Sequence, residues 1–194
     1  MDRLPDIVTH IYDPARGPFR NLCSLGDHEA ETLLADIAAA GHRTIKPNYL
    51  SRRRATEAWL LTQRTRKLGQ PRLPRPIYFF LADMDDGADP SRPCAITLSL
   101  ARFAAEMVTF TYSDSMASFL LGSRGDLASE RWPPHGEVFT LDEIARLVAA
   151  VGLPGGGRPS DPAQRHDRYI EMQLWDERPL AVLDRLVDQS RFEA

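Results

Sequence analysis

Three prolines at positions 71, 74 and 76 follow a long helical pattern and divide the chain into parts of different character. Proline lacks a backbone N–H and its ring clashes with the preceding turn, so the helix predicted over residues 51–68 cannot continue. Before the prolines, one short strand precedes two helices; after them, strands dominate. Because strands and helices do not alternate regularly, the pattern favours one α+β domain over residues 1–194, with helices packed on a bent mixed or antiparallel sheet.

The bulk properties fit one globular domain. A chain of 194 residues can bury a sizeable core, and 43% apolar with 26% charged residues is an ordinary globular mixture. The longest apolar runs, such as residues 77–82, are too short to cross a bilayer, and the first residues lack the apolar core of a signal peptide. Cys23 and Cys94 form no CxxC pair, which argues against a disulfide framework or a cysteine-rich zinc site. These features predict a cytoplasmic protein.

Hydrophobic periodicity and turn residues place the remaining elements. Strands are predicted at residues 7–12, 77–82, 94–100, 107–113 and 169–175. A first helix begins near Asp27 and ends before Gly41, and Thr140 with Glu143 forms a capping box for a later helix. Two long polar loops, 122–136 and 153–167, complete the pattern, the second being a candidate lid. We expect the first two helices to cover one side of the sheet.

The closing strand presents two different faces, because alternate side chains of a strand point in opposite directions. The face expected in the core carries Ile170, Met172 and Leu174. The opposite face carries Tyr169, Glu171, Gln173 and Trp175. Glutamate is a poor strand former, so its position between an aromatic residue and an amide favours a cleft. The alternative is an edge strand that uses the charge to discourage aggregation.

Positive charge is concentrated in one segment. Residues 43–75 contain ten Lys and Arg residues against one acid, Glu57, which gives +9 and leaves −12 for the remainder of a chain whose net charge is −3. Such an excess attracts anions such as phosphates, so nucleic acid or another polyanion is a candidate partner at Arg43–Arg75. The alternative is a solvated helix face balanced by acids elsewhere in the fold.

Other familiar site patterns are missing from the sequence. The loop over residues 83–89 carries carboxylates at alternating positions, but it lacks the spacing of an EF-hand and reads better as a plain turn. The five histidines show no HxH or HExxH spacing, so we predict no metal site. The serines lie in no GxSxG elbow, and the glycines at 155–157 do not follow a strand, as a phosphate cradle requires.

Five short pieces occur in the same order as in one known family. They are HIYDP at 10–14, RPIYFFLAD at 75–83, AITLSLARF at 95–103, TFTYSDSMAS at 109–118 and YIEMQLWDERPL at 169–180. In this order the chain resembles the DarT-type ADP-ribosyltransferase-like family, and the similarity spans most of its length. The resemblance implies an ADP-ribosyltransferase-like fold and transfer of ADP-ribose from NAD to a nucleic-acid or protein acceptor.

The resemblance also implies roles for individual residues. Glu171 matches the family's glutamate by its place in the closing strand, and a carboxylate there stabilises positive charge developing on the ribose. The residues implied for NAD binding are His10, Tyr12, Arg52, Arg53, Arg54, Tyr78, Phe80, Tyr112 and Ser113. Asp13 stands where the family has a histidine, and His10 is out of register with that position. Two alternatives stay open: a non-catalytic domain that binds polyanions through residues 43–75, and a globular domain without a ligand.

Overall fold

The computed structural model describes residues 3–41, 44–82, 90–125, 132–154 and 168–181. Within these ranges lie five strands: β1 (Ile7–Tyr12), β2 (Ile77–Leu81), β3 (Cys94–Ser99), β4 (Val108–Tyr112) and β5 (Ile170–Leu174). The same ranges hold four α-helices: α1 (Asp27–Ala39), α2 (Tyr49–Leu68), α3 (Ser115–Ser123) and α4 (Leu141–Val151). Of the helices in these ranges, none has the length and apolar character needed to cross a membrane.

The five strands form one sheet in the order β3-β1-β2-β5-β4, and every neighbouring pair is antiparallel. The α+β prediction is therefore confirmed, and the sheet is antiparallel rather than mixed. The strand bounds agree with the predicted ones to within one residue at each end. The last strand in the chain, β5, lies between β2 and β4 and is not an edge strand, so its glutamate does not protect an open edge.

One face of the sheet carries the main apolar core. Val8, Phe79, Met172 and Phe110 come from four different strands and are each fully buried. Helix α4 packs on this face through Ile144 and Val148, with Leu141, Leu147 and Val151 partly buried around them. These five residues recur at helical spacing in the sequence, which predicts such a buried stripe, and the predicted capping box between Thr140 and Glu143 is also present.

Helix α2 ends where the sequence predicts but buries a different face. Gly69 follows it with a φ of 79°, a conformation that glycine adopts without strain. The apolar residues of its sequence, Ala55, Ala58, Trp59, Leu60, Leu61 and Leu68, predict one buried side, and this prediction is wrong in part because Ala55 and Ala58 are exposed. The residues it buries are Thr56, Glu57, Leu60 and Arg64. Three of these four are polar, so α2 covers the second face of the sheet with a largely polar surface.

Helix α3 is an element that the sequence analysis missed. It begins at Ser115, where a strand end was expected, and it continues into the segment taken as a polar loop. Asp114 caps its first turn by accepting hydrogen bonds from the backbone N–H groups of Met116 and Ala117. Together α2 and α3 cover the second face, with the Trp59 and Phe119 rings 5.3 Å apart between them. Helix α1 was predicted to cover this face together with α2. It contributes little, since it buries only Ala30 and Leu34.

Candidate active site

The Glu171 carboxylate lies on the second face of the sheet, beneath α2 and α3. In the antiparallel register Glu171 is opposite Phe80 of β2 and Thr111 of β4. Directly opposite residues share a face, so the three side chains lie side by side. The side chain of Glu171 is 5% exposed. The face that was expected to line an open cleft is therefore almost fully covered.

Hydrogen bonds fix this carboxylate from within the sheet. The Gln173 amide donates to Glu171 Oε1 at 3.2 Å and to Thr111 Oγ1 at 3.1 Å. The Gln173 carbonyl accepts from Thr109 Oγ1 at 3.0 Å, and that hydroxyl accepts from the Trp175 indole at 2.8 Å. A chain of buried polar groups thus runs along β4 and β5 and ends at Glu171. Such a connected network restricts the side chain to one position.

Burial is the largest influence on Glu171 and raises the pKa of its carboxyl group. Asp114, a second acid nearby, raises the pKa further, while Arg53, Ser115 and Gln173 lower it. The net direction is upward. Perturbed carboxylates of this kind are concentrated at functional sites, although buried structural ion pairs also produce them.

Arg53 is the cation of this site. Its guanidinium carbon lies 4.0 Å from the centroid of the Tyr78 ring, and its Nε lies 3.5 Å from Glu57 Oε1. Burial alone would lower the pKa of Arg53, but Tyr78, Glu171 and Glu57 raise it above its ordinary value. A guanidinium stacked on an aromatic ring between two carboxylates stays charged and can bind an anionic group.

Two aromatic side chains lie beside the carboxylate at the same end of the sheet. The rings of Phe80 and Tyr169 meet edge to face, with centroids 4.6 Å apart. Burial, with Asp114 and Glu171 nearby, raises the pKa of the Tyr169 phenol well above its ordinary value. The phenol is therefore a hydrogen-bond donor at any physiological pH.

The backbone is strained at this end of the sheet. Ser113 follows β4 with a φ of 85° and Ala82 follows β2 with a φ of 89°. Residues with side chains rarely adopt such angles, and outliers of this kind cluster at functional sites. The Ser113 N–H donates to the carbonyl of Tyr169 at 3.1 Å, so the strained turn is tied to the start of β5.

Ser115 brings a hydroxyl to the carboxylate from the first turn of α3. Its side chain is fully buried, and its influence lowers the pKa of Glu171. Among the described residues its Oγ makes no hydrogen bond that meets normal geometry. A hydroxyl placed this close to the Glu171 side chain favours the ionised form of the carboxylate.

The structure brings together four of the residues implied by the resemblance: Glu171, Arg53, Tyr78 and Phe80. Ser113 lies close by through the strained turn. Arg52 is exposed, and Arg54 pairs with Asp27 on α1.

The other three residues, His10, Tyr12 and Tyr112, lie on the opposite face of the sheet. The register of the strands shows this, because His10 and Tyr12 share a face with Phe79, and Tyr112 shares one with Ile170. The His10 ring contacts Phe19 and Phe79 in the apolar core. The Tyr112 hydroxyl donates to the carbonyl of Gly152. His10 and Tyr112 are therefore buried on the core side and Tyr12 is half-buried there, and none of the three lies beside Glu171.

Both nitrogens of the His10 ring are used inside the fold. Nε2 accepts a hydrogen bond from the Phe19 N–H at 2.8 Å, so Nδ1 must carry the proton that it donates to the carbonyl of Tyr78 at 2.7 Å. Burial lowers the pKa of His10 to about 4. His10 is thus a neutral structural histidine that joins the first loop to the sheet.

Glu57 and Ser115 lie beside Glu171 or its cation but were missed from the sequence, and Asp114 was noted only as part of the segment at 109–118. Glu57 was counted only as the single acid of a basic segment, although it lies one helical turn from both Arg53 and Leu60. That spacing was a usable signal for a buried position. Asp114 is a typical N-cap residue, and the same signal would have revealed α3 and with it Ser115.

Most cations of the basic segment are paired with other groups of the fold. Five of its cations, Arg53, Arg54, Lys67, Arg72 and Arg75, form ion pairs with carboxylates. Arg64 donates to the backbone carbonyls of Gly69 and Glu106. Lys46, Arg52 and Arg66 are exposed and form no ion pair with a described residue. Arg43 and the loops at 83–89 and 155–167 lie outside the described residues.

Comparison with known proteins adds no relative: no family model, curated protein or solved structure matches the chain. The functional interpretation therefore depends on the collinear sequence pieces and on the chemistry of the site. That chemistry is a buried carboxylate of raised pKa, a stacked guanidinium and a buried hydroxyl.

Proposed function

We propose that this protein is an ADP-ribosyltransferase-like enzyme that uses NAD and transfers ADP-ribose to a nucleic-acid or protein acceptor. The observation that carries the proposal is the convergence of Arg53, Tyr78 and Phe80 on the Glu171 carboxylate. These residues come from three separate pieces of the chain, α2, β2 and β5. Two of those pieces, residues 75–83 and 169–180, are also pieces of the collinear resemblance.

The reaction requires a negative charge where Glu171 lies. Breaking the bond between nicotinamide and the ribose carbon sends the electron pair to nicotinamide and leaves positive charge on the sugar. An acceptor nucleophile then bonds to that carbon and gives up its proton. A carboxylate beside the ribose stabilises the developing charge and holds a ribose hydroxyl. Ser115 and Gln173 favour the ionised form that this role requires.

The other residues of the site suit the remainder of NAD. The pyrophosphate needs a cation, and Arg53 offers a planar guanidinium already supported by the Tyr78 ring. Phe80 and Tyr169 supply aromatic surface for a nicotinamide ring. His10 has no part in the proposal, since both its ring nitrogens are bound within the fold.

The test compares NAD consumption by the wild-type chain and by Glu171→Gln, which keeps the shape and removes the charge. We expect nicotinamide release by the wild type and a loss of about 10²–10³ in kcat for the variant. Glu29→Gln, at an exposed position of α1, is the matched control and should leave the rate unchanged. If the wild-type chain neither releases nicotinamide nor gains thermal stability from NAD, the proposal is wrong.

A polyanion-binding domain without catalysis is the competing proposal, and the ion pairs of the basic segment weaken it. Three exposed cations without carboxylate partners, Lys46, Arg52 and Arg66, support only weak binding by the described part of this segment. Each phosphate contact contributes about −0.7 to the salt slope for single strands. A slope of about −2 that becomes shallower by about 1.4 in an Arg52→Ala, Arg66→Ala double variant would favour this alternative.

A further inference from the structure

Glu57 is a fully buried carboxylate in the middle of α2, and the proposed reaction gives it no direct role. Burying a charged carboxylate costs several kcal/mol unless partners compensate it. A buried ion pair can often be replaced by apolar residues without loss of stability. Core packing alone is therefore a poor reason for a glutamate at this position.

Several separate elements hold the Glu57 carboxylate in place. Oε1 accepts hydrogen bonds from the Asn21 amide and from the Tyr78 hydroxyl, both at 3.0 Å. Oε2 lies 3.6 Å from Arg75 Nη1 but has no hydrogen-bond partner among the described residues. Asn21 also donates to the carbonyl of Pro76, which ties the first loop to the start of β2. Glu57 is thus a fixed point between α2 and the sheet.

From this fixed point Glu57 acts on Arg53. The two residues are four apart on one helix, and Arg53 Nε lies 3.5 Å from Glu57 Oε1. Tyr78 donates to Glu57 and supports the guanidinium of Arg53 with its ring. Arg53 is therefore held by an ion pair at Nε and by the Tyr78 ring along one face of its plane. Its terminal nitrogens form no hydrogen bond or ion pair with a described residue, which leaves the guanidinium fork for a ligand.

We propose that Glu57 is a positioning residue that, through Arg53 and Tyr78, orients the guanidinium fork toward an anionic ligand beside Glu171. The inference rests on the proposed function for the identity of that ligand, the pyrophosphate of NAD. The orientation of Arg53 itself is independent of any reaction. The positioning role of Glu57 and the proposed function can therefore be tested separately.

The first measurement uses NMR on the ¹⁵N-labelled full chain without NAD. The Nε–H signal of Arg53 is assigned by its loss in Arg53→Lys, and its exchange with solvent is compared with that in Glu57→Gln. We expect exchange to become at least about tenfold faster in the variant, since local opening sets the rate for protected protons. Asp27→Asn, which removes the partner of the neighbouring Arg54, is the matched control and should leave the Arg53 signal unchanged.

The second measurement uses NAD turnover. Because Arg53 is proposed to bind a part of NAD that does not react, Glu57→Gln should raise KM about tenfold and change kcat much less. Glu171→Gln should do the reverse. A Glu57→Gln variant that changes kcat and KM no more than Asp27→Asn would overturn the inference while leaving the proposed function intact.

A second variant keeps the inference testable if Glu57→Gln does not fold. Tyr78→Phe keeps the ring beneath Arg53 and removes the hydroxyl that holds Glu57. We expect a smaller but measurable increase in Arg53 Nε–H exchange. Exchange at the wild-type rate in a folded Glu57→Gln or Tyr78→Phe protein would show that Glu57 does not position Arg53. Absence of NAD turnover in the wild type would instead refute the proposed function alone.

Discussion

Phe80 of β2 lies directly opposite Glu171 of β5 in the antiparallel register. An aromatic ring beside a carboxylate removes water without offering a hydrogen bond, so this pairing contributes to the burial that raises the pKa of Glu171. The register therefore links a packing contact to the chemistry of the site.

Removing the charge of Glu171 should stabilise the fold. The folded state raises this pKa, so folding favours the protonated form, and wild-type stability falls as pH rises from about 4.3, the ordinary glutamate pKa, through the raised value. Glu171→Gln does not lose stability in this way, because glutamine does not ionise. We expect its Tm advantage over the wild type to grow with pH across that window, by about 2–4 °C for each kcal/mol. A constant difference between pH 4 and pH 8 in thermal melts would contradict this account.

Arg53 should control the pH dependence of NAD cleavage. Its positive charge lowers the pKa of Glu171, so Arg53→Gln should raise that pKa further. The proposed function requires the ionised carboxylate, so it predicts that the acidic limb of the rate profile moves to higher pH in this variant. Arg54→Gln, which loses an ion pair to the exposed Asp27, serves as the control and should leave the limb in place. If the acidic limb stays at the same pH in Arg53→Gln, the charge of Arg53 does not influence the pKa of Glu171.

His10 should remain neutral well below the pH at which an ordinary histidine titrates. Its pKa is lowered from 6.5 to about 4, which corresponds to about 3 kcal/mol. A lowered pKa stabilises the fold above pH 6.5, and this contribution disappears as pH falls through the folded value near 4. Nitrogen NMR should show a proton on Nδ1 at neutral pH. Titration near pH 6.5, or a proton on Nε2, would refute the hydrogen bonds assigned to this ring.

Gly122 should tolerate no larger residue, because α3 packs directly on the backbone of the following loop. A Cβ at Gly122 would lie 2.3 Å from the Cα of Gly136, and neither backbone can move aside easily. We expect Gly122→Ala to cost about 1–3 kcal/mol in chemical denaturation. At Gly125 nothing lies within 4 Å of the added carbon, so Gly125→Ala is the matched control. Equal stability of the two variants would mean that α3 can shift.

The elements that could be predicted are those determined by neighbouring residues in the sequence. Short runs of strand-forming residues bounded by turn residues located all five described strands, two of them with clear period-two alternation, and the capping box at Thr140 located α4. Helix α3 was not predicted, because its nine residues include three serines and a glycine and lack a clear apolar stripe. Its one local signal, the N-cap Asp114, directly follows the predicted strand 107–113 and was not used to predict a helix.

The composition of the site depended on information that local sequence does not hold. Alternation divides each strand into two faces, but only the register between strands decides which faces join. His10 and Glu171 were placed together from their family positions, and the ladder puts them on opposite sides of the sheet. Arg53 was one of three adjacent arginines, and only the packing of α2 distinguishes it from Arg52 and Arg54.

The central position of β5 bears on how the protein is made. Its residues are translated after those of the other four described strands, yet β5 separates β2 from β4, and among these strands β4 pairs only with β5. A nascent chain can assemble β3, β1 and β2, but the second half of the sheet must wait for a contact of long sequence separation. Glu171 arrives on that same strand. Glu171 is therefore synthesised together with the strand that completes the sheet. A nascent chain that ends before β5 lacks the proposed site.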